Sequence, residues 1–227
     1  MSRVLLLSIA LAFVLSCAPV LSDDCAAPQA GGIAEFFRAI AGEWIGICKQ
    51  TTDDDAAEDK YFRAVIKESS PGLFEAHFDY YRADCKGAIT HIGSSNVTTT
   101  ITSAGATGRV VGDGEVLVDS KAKKQEHDLT ETMVSTGNGT VTARGGGSLK
   151  VSGMPLGLGK LGKVRDDQST WCLSGDTLTV RQTMSIVFRA LFVSKSFKID
   201  ASYTAVRGSD VRGLAAKQAI AASKIGG

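Results

Sequence analysis

The sequence lacks a charge excess of either sign. Its 25 Lys and Arg residues are balanced by 24 Asp and Glu residues, and the pI is about 7.6. Proteins that bind nucleic acid or an anionic membrane surface through electrostatics carry a basic excess. The composition therefore gives no support to either kind of partner, and we expect no nucleic acid to bind.

Long apolar runs are also missing, except at the N-terminus. Residues 4–15 form an apolar run behind Arg3, and no acidic residue occurs before Asp23. This pattern is typical of a secretory signal peptide that is too short to span a membrane, and it predicts cleavage after Ser22. The alternative is a lipoprotein that is cleaved before Cys17 and anchored through it. We expect an exported mature protein, secreted or periplasmic, without a transmembrane segment.

Familiar catalytic and metal-binding motifs are absent. The sequence has no Gly-x-Ser-x-Gly motif, no His-Glu-x-x-His motif and no Cys-x-x-Cys pair. The acidic segment 51–59 lacks the spacing of an EF-hand and is interpreted as a solvated loop. Residues 157–162 match Gly-x-Gly-x-x-Gly, but no predicted helix follows them to hold a phosphate. We therefore predict no metal, no cofactor and no catalytic residue.

Export also affects the interpretation of the cysteines. Four remain after signal cleavage, namely Cys25, Cys48, Cys85 and Cys172. In an oxidising compartment they predict two disulfides, with three possible pairings. If the strands alternate in direction from residue 43, the favoured pairs are Cys25–Cys172 and Cys48–Cys85. Asn96 and Asn138 begin glycosylation sequons, which matter only if the source is a eukaryote.

From residue 43 to residue 206 the pattern is that of β-strands. Short alternating segments are separated by turn signals every 8–12 residues or so, which is typical of a sandwich or barrel. Nine to eleven strands can be counted. An even number returns the last strand beside the first, so we predict an all-β fold, a closed antiparallel up-and-down barrel of about ten strands.

Two helices are predicted outside the strands. Residues 33, 36, 37 and 40 are apolar at the spacing of one helix face, which predicts a short helix that plugs one end of the barrel. Ser209 is the expected N-cap of a C-terminal helix. The predicted organisation is a signal peptide at 1–22, a lead-in and plug helix at 23–42, a barrel at 43–208 and a helix at 209–227.

The two ends of the predicted barrel carry a resemblance to a known family. Gly42-Glu43-Trp44 opens the first strand, and Arg207 closes the last. This resembles the calycin superfamily of lipocalins, fatty-acid-binding proteins and bacterial lipocalin-like proteins, in which a Gly-x-Trp begins the barrel and an Arg packs across the Trp. The resemblance implies that Gly42, Trp44 and Arg207 close the barrel. Because the mid-chain Thr-Asp-Tyr segment of true lipocalins is missing, the looser lipocalin-like relatives are the better match.

The inner faces of the predicted strands favour a binding function. They are apolar, so we expect a small apolar ligand such as a fatty acid or another lipid inside the barrel, with residues 51–59 and 153–162 as a lid. The predicted ligand-binding residues are Phe62, Ile66, Phe74, Phe78, Tyr80, Leu178, Val180, Met184, Phe197, Ile199 and Tyr203. The alternatives are an enzyme on the same barrel and a filled barrel with a structural or partner-binding role.

The three histidines raise a minor alternative. Some lipocalin-like barrels hold haem through one His, and the candidates are His77, His91 and His127. His77 alternates with Phe78 and is expected to point outward. His127 shares a face with Leu129 and Met133, which would allow it to point inward. A surface or rim position remains the default interpretation of each, and the oligomeric state is open.

Overall fold

The structure is a computed structural model that describes residues 32–53, 58–84, 86–118, 121–137, 139–152, 162–190 and 193–225. Within these residues the chain forms ten strands between two helices. The helices are α1 (Ile33–Ile40) and α2 (Val211–Ile225). The strands are β1 (Gly42–Thr52), β2 (Glu58–Ser70), β3 (Leu73–Ala83), β4 (Ile89–Thr102), β5 (Gly105–Val118), β6 (Lys121–Gly137), β7 (Thr140–Val151), β8 (Gly162–Ser174), β9 (Thr177–Ala190) and β10 (Val193–Arg207).

The strands form a closed barrel. Each strand pairs with its neighbours in sequence, and β1 pairs with β10 in antiparallel register, with Trp44 opposite Arg207. The predicted closed, antiparallel up-and-down barrel of about ten strands, with one helix before it and one after it in the sequence, is therefore confirmed. Trp44 lies at the end of the barrel that α1 covers, which we call the closed end. The opposite end, where β1 ends and β2 begins, is the mouth.

The glycine-rich part of the sequence lies partly in strands. Residues 145–151 continue β7, and residues 162–168 begin β8. Glycine is compatible with a strand here because the neighbouring backbones come close. A Cβ at Gly147 would lie 2.8 Å from the Cα of Leu129 in β6, so a side chain at this inward position would force the strands apart.

Helix α1 fills the closed end. Its buried side chains are Phe36, Phe37 and Ile40, and the ring of Phe37 lies 5.4 Å from that of Phe74, centroid to centroid. The cluster continues to Trp44, which is 0% exposed. Helix α1 therefore shares one apolar core with the closed end of the barrel. A helix this short is stabilised mainly by the burial of these side chains and not by its own backbone hydrogen bonds.

Helix α2 packs on the outside of the barrel. Val211 and Ala215 are buried against Tyr61 of β2, whose hydroxyl donates to Gln218 Oε1 at 3.3 Å. The helix is capped by Asp210 rather than by the predicted Ser209, because Asp210 Oδ1 accepts a hydrogen bond from the backbone N–H of Gly213 at 2.9 Å. Neither helix in the described residues combines the length and apolarity needed to cross a bilayer.

Several predictions fall outside the described residues. They include the signal peptide, Cys17, Cys25, Cys85 and Asn138. Most of the proposed lid, at residues 54–57 and 153–161, also falls outside them. These predictions stay predictions.

Candidate functional site

Trp44 forms the floor of the barrel interior, and its indole Nε1 donates to the carbonyl of Ile40 at 2.7 Å. The guanidinium carbon of Arg207 lies 4.3 Å from the centroid of the Trp44 ring. Arg207 also donates to the carbonyls of Ala39 and Ala41, both at 2.5 Å. These carbonyls at the C-terminal end of α1 have no partner in a further helical turn, so Trp44 and Arg207 cap the helix.

Gly42 permits this arrangement. Its φ is +132°, a value that side-chain-bearing residues rarely adopt, and a Cβ there would lie 2.5 Å from Nη1 of Arg207. Any other residue would strain the backbone and displace the guanidinium. In this chain, Gly42, Trp44 and Arg207 therefore belong to one group of contacts at the closed end.

Two adjoining cavities lie inside the barrel. The deep cavity has a volume of about 90 Å³ and rests on Trp44, and the mouth cavity has a volume of about 120 Å³ and lies near Gln50 and Lys60. The residues that line both are Tyr80, Ser95, Val110, Gln182 and Tyr203. The cavities thus form two levels of one interior space.

Eight of the eleven predicted ligand-binding residues line these cavities. Those on the deep cavity are Phe62, Phe78, Leu178 and Val180, those on the mouth cavity are Met184 and Ile199, and those on both are Tyr80 and Tyr203. The other three lie at different levels of the barrel. Ile66 and Phe74 pack beside α1, and Phe197 packs on Phe188 with ring centroids 5.8 Å apart. Alternation predicts the face of a residue but not its height.

A pair of acidic residues inside the barrel was missed by the sequence analysis. Glu131 of β6 is 5% exposed and Asp167 of β8 is 1% exposed. Both are register partners of Gly145 in β7, so they flank it on either side. A Cβ at Gly145 would lie 2.9 Å from Cγ of Glu131. The missing side chain of Gly145 therefore leaves the space in which the two carboxyl groups meet.

Burial raises the pKa of both carboxyl groups. Desolvation, then the charge of Asp167 and the hydrogen bond between the two side chains, raise the pKa of Glu131 to about 8. Desolvation also raises the pKa of Asp167, although hydrogen bonds from Gln182 and Glu131 act in the opposite direction. At neutral pH the pair therefore shares one proton and carries one negative charge.

The hydrogen bonds around Asp167 fix its orientation. Gln182 Nε2 donates to Asp167 Oδ1 at 2.9 Å, and the Tyr203 hydroxyl donates to Gln182 Oε1 at 3.5 Å. With both carboxyl groups ionised, the buried Oδ2 of Asp167 would have no hydrogen-bond donor among the described residues. A proton on Glu131 provides one. A sequence signal for the pair existed, because Glu131 shares the inward alternation of Leu129 and Met133.

A polar bridge crosses the mouth of the barrel. Lys60 of β2 is only 4% exposed, and its Nζ donates to the carbonyl of Glu115 in β5 at 2.5 Å and to Gln50 Oε1 at 3.1 Å. Arg82 of β3 forms an ion pair with the Glu115 carboxylate at 2.7 Å. Because β2 and β5 are not adjacent, this mouth bridge narrows the entrance to the cavities.

The histidines divide between the two faces of the wall. His127 lines the mouth cavity, its Nε2 lies 3.1 Å from Ser95 Oγ, and burial lowers its pKa. His77 and His91 lie on the outside, with Nε2 atoms 3.2 and 3.4 Å from Asp79 Oδ1. His77 thus points outward, as the alternation of side chains along its strand predicted. His127 points inward, which the alternation along its own strand allowed.

The described cysteines lie on opposite faces of the wall. Cys48 points inward, is 1% exposed and shares a hydrogen bond with Tyr203. Cys172 lies in β8, next to the inward-facing Leu173 near the closed end. Cys48 is a thiol in the structure, so the predicted Cys48–Cys85 disulfide is wrong. Cys25 lies outside the described residues, so the Cys25–Cys172 disulfide stays a prediction.

Comparison with known proteins identifies no family for this chain. No family model matches the chain, and no curated protein matches it. Among solved structures, Rv2717c from M. tuberculosis aligns with 12% identity and a TM-score of 0.44, covering 78% of this chain and 99% of that one. The S-type phycobiliprotein lyase CPES from Guillardia theta aligns with 10% identity and a TM-score of 0.43, covering 79% and 94%. Similarities this low carry no argument about function, so the proposals below depend on the site alone.

Proposed function

We propose that the protein binds a compact ligand with an apolar body inside the barrel, above Trp44. The observation that supports this proposal is the pair of adjoining cavities, about 120 and 90 Å³, that the inward side chains leave open. A filled barrel with a purely structural role would have no such space.

The size of the cavities limits the ligand. Sites for drug-sized molecules usually measure about 300–1,000 Å³, and the two cavities together fall below that range. A long fatty acid or a haem would require the wall or the mouth bridge to move. A single ring with a short side chain is a better match, so we narrow the expected ligand from a lipid to a molecule of this size.

The lining combines apolar walls with a few polar groups. Phe62, Phe78 and Leu178 form apolar walls of the deep cavity, and each ligand methylene buried against such walls contributes about 0.8 kcal/mol. Ser95 and Gln182 offer hydrogen bonds that orient a ligand. After the cost of association, a ligand with eight or nine carbons should bind in roughly the micromolar to millimolar range.

Tryptophan fluorescence tests the proposal, because both tryptophans of the chain, Trp44 and Trp171, line the deep cavity. Titration with n-propylbenzene should give a saturable change. Ala205→Leu fills the deep cavity and should weaken binding at least tenfold, whereas Thr204→Leu, on the neighbouring outward position, should leave it unchanged. The proposal fails if the wild-type protein gives no saturable signal or if Ala205→Leu binds as tightly as the wild type.

We also propose that the protein acts after export, on the basis of its N-terminal apolar run. The mass of the protein recovered from its own source would separate cleavage after Ser22 from lipid attachment at Cys17. An intact N-terminus would contradict both forms of this proposal.

A further inference from the structure

The pair formed by Glu131 and Asp167 carries a charge that the deep cavity does not balance. Among the described residues that line this cavity, Glu131 is the one charged side chain. Lys60, which lines the mouth cavity, directs its Nζ to Gln50 and to the carbonyl of Glu115. A buried charge without a cationic partner is costly, so the pair would be better satisfied by a cation from outside the chain.

Asp167 and Glu131 have distinct roles in the pair. Asp167 lies behind the wall of the cavity, held at Oδ1 by Gln182, while Glu131 reaches the deep cavity itself. Gly145 gives Glu131 its space, because a Cβ there would lie 2.9 Å from Cγ of Glu131. The carboxyl of Glu131 is therefore accessible to a ligand in the cavity, and Asp167 adds negative charge behind it.

Aromatic rings surround the same cavity. They belong to Trp44, Phe62, Phe78, Tyr80, Trp171 and Tyr203. The faces of such rings attract cations through their electron density and also bury apolar carbon. One cavity thus combines an unbalanced carboxyl pair with aromatic walls, two features that favour a molecule with a positive group on an apolar body.

We propose that the deep cavity binds a small organic amine in its ammonium form, with the charged nitrogen at the Glu131–Asp167 pair and the apolar body against the aromatic walls. This inference rests on the proposed function, because it needs the cavity to accept a ligand. It specifies the chemical class of that ligand. The bound ammonium donates hydrogen bonds to Glu131 and neutralises the single negative charge of the pair.

The test compares two probes of nearly equal shape, phenethylamine and n-propylbenzene, which differ by an ammonium in place of a methyl group. At neutral pH we expect the amine to bind wild-type protein at least tenfold more tightly by calorimetry. Glu131→Gln keeps the shape of the side chain and should reduce amine affinity at least tenfold while leaving n-propylbenzene within twofold. Asp167→Asn should also reduce the affinity for the amine and leave the affinity for n-propylbenzene unchanged.

The matched control is Glu126→Gln. Glu126 lies on the same strand as Glu131 but points outward, where it forms an ion pair with Lys150 at 3.0 Å. This variant should retain the preference for the amine. Equal affinity of the two probes for the wild type, or an unchanged preference in Glu131→Gln that binds n-propylbenzene normally, would overturn the inference and leave the cavity proposal in place. Failure of both probes to bind the wild type would overturn both.

Discussion

Replacement of Glu131 by glutamine should change how the stability of the protein depends on pH. In the folded protein the pKa of Glu131 is raised to about 8 from its ordinary value of 4.5, chiefly by burial. Glutamine has the shape of the protonated side chain and still offers a donor to Asp167, but it cannot lose a proton. The substitution therefore removes this titration from the pair.

The sign and size of the effect follow from proton linkage. Below pH 4.5 or so, both the folded and the unfolded protein hold the proton on Glu131. Between there and a pH of about 8, only the folded protein holds it. Stability therefore falls as pH rises through this window, by about 1.4 kcal/mol per pH unit and about 5 kcal/mol in all. Above the upper limit this group causes no further change.

Urea unfolding of wild type and Glu131→Gln at several pH values would measure the effect. The variant should show a shallower decline in the free energy of unfolding between about pH 5 and 8, and should be the more stable protein at about pH 9. His127 has a lowered pKa and acts in the opposite direction as pH falls, but it is common to both proteins and cancels in the difference. Parallel curves, or the same difference in Glu126→Gln, would refute the shared-proton argument.

Three further predictions concern the closed end and the cysteines. Trp44→Ala should lower the free energy of unfolding by about 3–5 kcal/mol, because the indole is fully buried and its loss leaves a cavity; a loss below 1 kcal/mol or so in urea unfolding would contradict this. Gly42→Ala should destabilise more than Gly105→Ala in the same assay, since both have positive φ but only Gly42 has a neighbour within 4 Å of its absent Cβ; equal losses would mean that the contact with Arg207 is unimportant. Peptide mapping without reduction should recover the pair Cys25–Cys172, and any other partner of Cys172 would show that the pairing argument is wrong.

The architecture was accessible from the sequence because a strand leaves a period of two in its side chains. Residues 73–81 alternate clearly, and β3 covers them with Phe74 and Phe78 buried. The glycine-rich stretch 145–151 leaves no clear period, because glycine carries no side chain. Its presence in β7 depends on how closely β6 and β8 approach, which is a tertiary property.

The site was only partly accessible from the sequence. Alternation identified inward aromatic residues, but it did not distinguish Phe78, beside the cavities, from Phe197, which packs on Phe188. Glu131 was overlooked because an acidic residue on an inner face is usually taken as an exception to the pattern. Its partner, Asp167, lies 36 positions later, and only the register of β6, β7 and β8 around Gly145 brings the two together.

The contact between Arg207 and α1 has a consequence for how the chain folds. Arg207 binds the carbonyl of Ala41 across 166 positions of sequence, and β1 finds its second partner only in β10. Contacts this distant in sequence slow the search for the native state. Until β10 is in place, β1 and β9 each present an unpaired edge that can associate with another chain. The last strand therefore completes the sheet and also ends the period in which the folding chain is prone to aggregate.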